Sequence, residues 1–545
     1  MDIEKGFYKD AETWLYRLLE LDPVLATYMG DHRWDDRLAD NSAAALEAHH
    51  TEMKQTLSAF QALDTGGFSL DGDIDQVLVC QMLKSIIRDY ERKQGHRRDP
   101  GYYIDQVMGG LFMLIMKDFA PLPDRLASMA GRLKLVAGVL EAGKANIVPG
   151  EVPRVWAEVA IEQARQAQPF IMSFLPSLAK GSGDGLEAEI KDAAADAAKA
   201  VGDFLAFLEK SVLPDAKGDF AVGKDLFEEL LRENHMVDYG ADELIETGWR
   251  LFKETEAEIE AVAKEIDPAK TVQEIMEDAK ADHPTAEGLL PAYQAAMEAA
   301  RQYVIDHDIA TIPGGETLKI IETPSYLRPL LPYAAYMPPG VLEEQQDGLF
   351  LVTPVDPGAP EEVQKEKLRG QNFAKLPVTA LHEAYPGHHL QLVWANRQES
   401  IPRRMGSYLS TFFIEGWAFY CEELMEKLGY ISSPVQRLGR LKDQLWRAAR
   451  IILDVSLHTR GMPLEEAVNF LVEECQLEPS NALAEVRRYT GSPTQPQSYL
   501  MGKLAILGLV ADYRKANPGL SLKDMHDNIL ACGSLPPKLM RKRLI

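Results

Sequence analysis

Apolar residues recur at spacings of three and four through most of residues 2–210. Stretches such as DQVLVCQMLKSIIRDY (Asp75–Tyr90) and DRLASMAGRLKLVAGVLEAG (Asp124–Gly143) predict amphipathic helices. KGSGDG (Lys180–Gly185) interrupts this pattern as a linker, and the Ala-rich run after it predicts a helix formed by propensity. A second helical block runs over residues 225–307. The texture then changes. ETLKIIETP (Glu316–Pro324) and DGLFLVTPV (Asp347–Val355) have the β-branched and aromatic content, the bounding turn residues and the lengths of strands. Between them SYLRPLLPYAAYMPPG is too rich in proline for a helix or a central strand. Helical period returns at about Val363 and lasts to the end. No fixed-period repeat occurs, which excludes a solenoid. The expected fold is mainly α, with a small β element just before the segment that carries the chemistry. A helical scaffold over 1–215 and a catalytic half over 216–545 would form one continuous domain with a cleft.

A chain of 545 residues, 46% of them hydrophobic, can bury a large core. Its net charge of −25, with no long basic block, argues against nucleic acid and anionic membrane as partners. Cys80, Cys421, Cys475 and Cys532 are scattered without a C-x-x-C pair, so they read as reduced thiols rather than disulfide partners or zinc ligands. Neither a secretory leader nor a run of about eighteen apolar residues is evident, and the expected compartment is the cytoplasm.

The segment LHEAYPGHHLQ (Leu381–Gln391) concentrates three histidines and a glutamate. In His-Glu-x-x-His, two imidazoles one helical turn apart reach one zinc while the glutamate works on water. Here Pro386 occupies the second histidine's place. On an unbroken helix His388 lies about 9 Å further along the axis than His382. Proline removes an N–H and clashes with the carbonyl four residues back, and Gly387 tolerates almost any backbone angle, so the helix should break or bulge. A two-residue bulge makes the i+6 separation an effective i+4, which favours His388 over His389 as ligand and leaves His389 to contact substrate or support the site. A third ligand is expected from Glu415 in STFFIEGWAFYCEEL, because a carboxylate among Phe412, Phe413, Ile414 and Trp417 is costly to bury without a cation. Glu422 shares its face at i+7. With Glu423 it reads either as support or as the helix's solvent face.

Arg447, Arg450, Asp454 and His458 fall on one stripe of a 3.6-residue period. Arg450 suits a clamp for a substrate carboxylate, with Asp454 and His458 as an orienting pair; a structural ion-pair stripe reads equally from the pattern. Tyr489 and Tyr499 flank a Pro/Gln/Ser loop that leads into an apolar helix.

HEAYPGHHLQ and EGWAFYCEEL resemble the two signature stretches of the bacterial domain-of-unknown-function family 885, whose relatives are grouped with gluzincin metallopeptidases. DPVLATYMGDHRWDDRLAD and QPQSYLMGKL resemble its opening and closing segments. The resemblance implies a large helical metallopeptidase-like fold with Zn²⁺ held by two histidines and a glutamate, and it places Tyr499 ahead of Tyr489 as a site residue. The expected activity is zinc-dependent hydrolysis of small peptides: His382, His388 and Glu415 hold the metal, Glu383 is general base, Tyr499 is oxyanion donor with His458 behind it, and Arg450 and His389 bind substrate. Strand DGLFLVTPV or ETLKIIETP could offer an edge to an extended peptide. The alternatives are a zinc hydrolase of non-peptide amides or esters, a non-catalytic metal-stabilised peptide binder, and a metal-free helical scaffold. Oligomeric state does not follow from these residues.

Overall fold

The computed structural model describes residues 3–323, 328 and 334–545. Helix accounts for 70% of the chain and strand for 4%, so helix packing sets the fold and the sheet is a local device. Two compact units result. One comprises Met1–Val222 with Gly340–Glu343, the other Gly223–Pro339 with Glu344–Ile545.

In the first unit, helices Gly101–Met116, Leu122–Asn146, Arg154–Pro169 and Asp184–Phe207 enclose one apolar core that includes Leu111, Met129, Leu133, Leu140, Ile161 and Phe204. Each such side chain contributes about 1.5–3 kcal/mol by leaving water. The alanine run does more than favour helix: Ala193, Ala194, Ala197 and Ala198 are buried, and their small side chains let neighbouring helices approach. KGSGDG is not a boundary between units. It is a turn joining Leu175–Leu178 to Asp184–Phe207, with Gly181 and Gly183 at φ of +83° and +110°. Gly340–Glu343 belongs to this unit because Leu342 N–H donates to Met29 O (2.7 Å) and Glu343 pairs with Lys117 (3.4 Å).

The second unit carries the sheet, ordered β1 (Glu316–Glu322), β3 (Gln346–Val352), β2 (Ala334–Met337). β1 and β3 run parallel, with Glu316 opposite Gln346, so they do not form a hairpin; β2 is antiparallel to β3, with Tyr336 opposite Phe350. Two expectations change here. DGLFLVTPV belongs to the central strand, paired with β1 along Gln346–Val352 and with β2 at Leu349–Val352, so of the two strands expected to offer an edge it is ETLKIIETP that lies at one. The proline-rich stretch ends in the edge strand β2, while its residues 325–327 and 329–333 lie outside the described ones. One short helix, Glu361–Arg369, separates the sheet from helix Leu376–Glu383.

Glycines sit at two helix crossings of this unit. Gly248, on helix Ala241–Ile266, lies against Ile451 and Ile452 of helix Pro434–Thr459. Gly416 and Gly502 join helices Phe412–Lys427 and Ser498–Ala516 backbone to backbone: a Cβ on Gly416 would stand 2.4 Å from the Gly502 carbonyl carbon. All four cysteines are buried free thiols. Among the described residues, no helix is long and apolar enough to cross a membrane.

Candidate metal centre

Helix Leu376–Glu383 ends at its own chemistry, for Pro386 cannot continue it. A second helix, His388–Asn396, starts after a four-residue break. The break has a definite size. Gly387 N–H donates to Leu381 O (3.1 Å) and Leu390 N–H to Ala384 O (3.3 Å), both i to i−6 where a helix makes i to i−4. Two residues are therefore looped out, and His388 returns one effective turn from His382. Only glycine fits at 387, since a Cβ there would lie 1.9 Å from His382 O. Trp417 Nε1–H donates to Pro386 O (2.8 Å) and so satisfies a carbonyl the break leaves over.

The His382 and His388 rings meet edge to face at 4.7 Å. Glu415, in the first turn of helix Phe412–Lys427, brings Oε2 to 3.5 Å from His388 Nε2. One ligand atom from each of the three residues lies within 4.8 Å of the other two. Tetrahedral ligands at about 2.0–2.2 Å from zinc stand about 3.4 Å apart, so the His388–Glu415 spacing and the two-imidazole, one-carboxylate donor set fit that ion. Glu422 accepts a 2.7 Å hydrogen bond from His382 Nδ1–H. That bond leaves Nε2 as the lone-pair nitrogen and fixes the ring's orientation. Glu422 is 3% exposed, so it is not on the solvent face. Glu423 pairs instead with Lys503 (2.6 Å). Burial works against protonation of His382, yet Glu422 outweighs it and the imidazole sits above its ordinary value. Burial would raise Glu415, but His388, His382 and Arg450 hold its carboxyl below the usual range.

A cavity of about 390 Å³ opens on this cluster, lined by His382, Glu383, His388, Glu415, Arg447, Arg450 and Tyr499 together with Tyr336, Leu392 and Ile414. Tyr499 reaches it through the Gly416–Gly502 crossing, one turn before Gly502 on its helix and opposite the Glu415 turn. A hydrogen bond from Thr411 Oγ1–H to Ser498 Oγ (2.9 Å) closes the same junction. The Arg450 guanidinium lies 4.5 Å from the Tyr499 ring centre. Burial and the nearby Glu415 raise the Tyr499 phenol above its ordinary value, so it stays protonated at neutral pH.

The structure places His389, His458 and Asp454 outside the cavity lining, and of the two roles expected of His389, substrate contact and support of the site, its position fits the second. His389 does not reach the cavity. It is fully buried, with Nε2 2.7 Å from Glu316 Oε2 and Nδ1 3.0 Å from Tyr336 Oη. Gly348 makes room for it, since a Cβ there would meet Nδ1 at 2.7 Å. Glu316 also accepts from Tyr385 Oη–H (2.6 Å), so His389 braces the helix break against the sheet. His458 is likewise fully buried and donates from Nε2 to Tyr489 O (3.0 Å), away from the cavity. Asp454 stands 4.0 Å from His458, burial pushes its carboxyl well above the usual range, and it accepts from Thr494 N–H (3.1 Å). Both residues hold the segment that leads into the Tyr499 helix. Tyr489 is buried and accepts from Arg450 Nε–H (3.0 Å) and Trp446 Nε1–H (3.2 Å), which makes it a support for Arg450.

Sequence reasoning missed Tyr336, whose four-residue strand follows a proline-rich stretch without usable period, and it left Arg447 as one member of a stripe.

A search of curated protein sequences returns no match. Two solved structures share the fold. One, from Shewanella oneidensis and described as a "putative lipoprotein of unknown function", is 24% identical, with 98% of each chain covered and a TM-score of 0.81. The other, a "putative lipoprotein" from Colwellia psychrerythraea, is 16% identical over 100% of this chain and 99% of its own, with a TM-score of 0.82. The profile of the family described as "Bacterial protein of unknown function (DUF885)" matches residues 23–544, and the protein belongs to that family.

Proposed function

We propose that the protein is a zinc-dependent metallopeptidase of small peptides, in line with the resemblance of its signature stretches to family 885, whose relatives are grouped with gluzincins. The observation that carries this reading is the convergence of His382, His388 and Glu415 on one cavity that Glu383 and Tyr499 also line. When bound, zinc supplies Lewis acidity for a peptide carbonyl and acidifies water. Glu383 takes the proton of the attacking water and passes it to the leaving nitrogen. Tyr499, kept protonated, donates a hydrogen bond to the carbonyl oxygen as charge gathers there. Glu422 holds His382 in the tautomer that keeps Nε2 free.

The test pairs metal analysis with turnover. His382→Ala, His388→Ala and Glu415→Ala lower zinc occupancy, whereas Glu383→Gln retains the metal and loses turnover on a peptide mixture read by mass spectrometry. Retained zinc in His388→Ala beside loss in His389→Ala would reverse the ligand assignment. A mixture left uncut moves the reading to a hydrolase of non-peptide amides or esters. As to compartment, the lipoprotein description of the structural neighbours favours a site outside the cytoplasm, against the expectation from sequence; cell fractionation decides.

A further inference from the structure

The metal cluster, Glu383 and Tyr499 leave two polar groups of the cavity without a role, the guanidiniums of Arg447 and Arg450, three residues apart on helix Pro434–Thr459. They are held in different ways. Arg450 is 4% exposed. Its Nε donates to Tyr489 and its Nη2 to Glu485 (2.9 Å), whose carboxylate is shared with Arg488 (2.9 Å). Nη1 of Arg450 is buried without a hydrogen-bond partner, and so is Nε of Arg447. Arg447 has a looser counterion. Its Nη1 is 3.4 Å from Asp443 Oδ1 and 3.4 Å from the Asp443 carbonyl, beyond the 2.7–2.9 Å at which charged N–H···O contacts close. Three aromatic rings fix it instead: Trp446 at 4.7 Å, Phe419 at 5.8 Å and Tyr499 at 5.8 Å. Such faces hold a cation and set its plane without consuming its N–H donors. Tyr499 thus contacts both guanidiniums, and the pair presents unspent donors to a small cavity in a chain whose net charge is −25.

We propose that Arg447, with Nη1 of Arg450 behind it, seats the free C-terminal carboxylate of a short peptide, so that the site acts on chain ends. This rests on the peptidase reading and adds its polarity. A planar guanidinium with open donors matches a carboxylate bidentately, and an internal peptide segment has no backbone carboxylate to offer. The cavity, about 390 Å³, is at the small end for ligand sites and suits a chain end over a polypeptide running through.

The experiment is calorimetry on the full zinc-loaded chain carrying Glu383→Gln, which prevents turnover. The probes are acetyl-trialanine as free acid, the same peptide as C-terminal amide, and an amide with glutamate at its middle position. The free acid binds at least about tenfold tighter than either amide, the worth of a hydrogen-bonded charge. Adding Arg447→Gln brings the three within about threefold, and Arg447→Lys restores part of the preference, with zinc content and melting temperature unchanged. Four results overturn the proposal: no binding of the free acid at millimolar concentration, equal affinity for acid and amide, an undiminished preference in Arg447→Gln, which puts the carboxylate on the ion or elsewhere, or a glutamate amide that rivals the free acid. Hydrolysis by the parent protein is read separately. The acid preference without any cleavage retires the peptidase reading and leaves an Arg447-dependent acid-binding site.

Discussion

The Gly416–Gly502 crossing yields a substitution whose effect can be worked from the structure. In Gly502→Ala the new Cβ would stand 2.3 Å from Phe412 O, 2.9 Å from Gly416 Cα and 3.1 Å from Gly416 N, where ordinary contact begins at 3.4 Å. All three atoms are backbone, so no side chain can swing aside and the helices must part by about 1 Å. Overpacking of this kind costs about 1–3 kcal/mol, and the helix propensity gained by replacing glycine with alanine offsets about 1 kcal/mol. Gly508→Ala is the control, because it gains the same propensity on the same helix and its Cβ meets nothing nearer than Arg541 Nη2 at 3.9 Å. Gly502→Ala should therefore be about 1–3 kcal/mol less stable than Gly508→Ala. The displacement also separates Tyr499 from Glu415, and misplacement by about 1 Å costs on the order of a hundredfold in turnover. The assay is urea unfolding of both variants, followed on the transition that added zinc shifts, with zinc affinity and peptide turnover measured alongside. Stabilities within about 0.5 kcal/mol of each other together with equal turnover would refute the claim that this contact sets the site's geometry.

Glu422→Gln removes the charge that orients His382, and zinc affinity by competition with a chelating dye should fall about 10- to 100-fold while the fold is retained; an unchanged affinity removes Glu422 from the site. Tyr499→Phe keeps the ring beside the Arg447 and Arg450 guanidiniums and should lower kcat about a hundredfold or more with zinc content unchanged, whereas a kcat within about threefold of the parent ends its role as donor. Because the His382 imidazole sits above 6.5 in the metal-free protein, protons should begin to compete with zinc above pH 6.5, with affinity falling as pH falls; titrations that show loss starting only below pH 6.5 contradict this. By the same shift, His382 stabilises the metal-free fold fully below about pH 6.5 and ceases to do so as pH rises through its folded value. Unfolding midpoints of parent and Glu422→Gln across that range should converge at high pH.

The helical half-turns, the strands around Glu316 and Gln346 and the break at Pro386 were legible in the chain because each is set within a few residues: by apolar period, by β-branched content, or by a missing N–H beside a glycine. Even the size of the break follows locally, two residues looped out so that His388 returns toward His382. Glu422 could be placed on the Glu415 face by its i+7 spacing, yet whether that face met solvent or His382 depended on another helix. The same limit explains the corrections. His388 and His389 are adjacent and chemically identical; Glu316 and Tyr336, more than fifty residues upstream, occupy both nitrogens of one and leave the other to face Glu415. Arg447, Arg450, Asp454 and His458 share a stripe, and only the approach of Tyr489, Thr494 and Tyr499 divides it into two cavity guanidiniums and two buried anchors. Periodicity says which side of an element is buried. Which partner waits there is decided by contacts between residues far apart in the chain, and those exist only once the tertiary structure has closed.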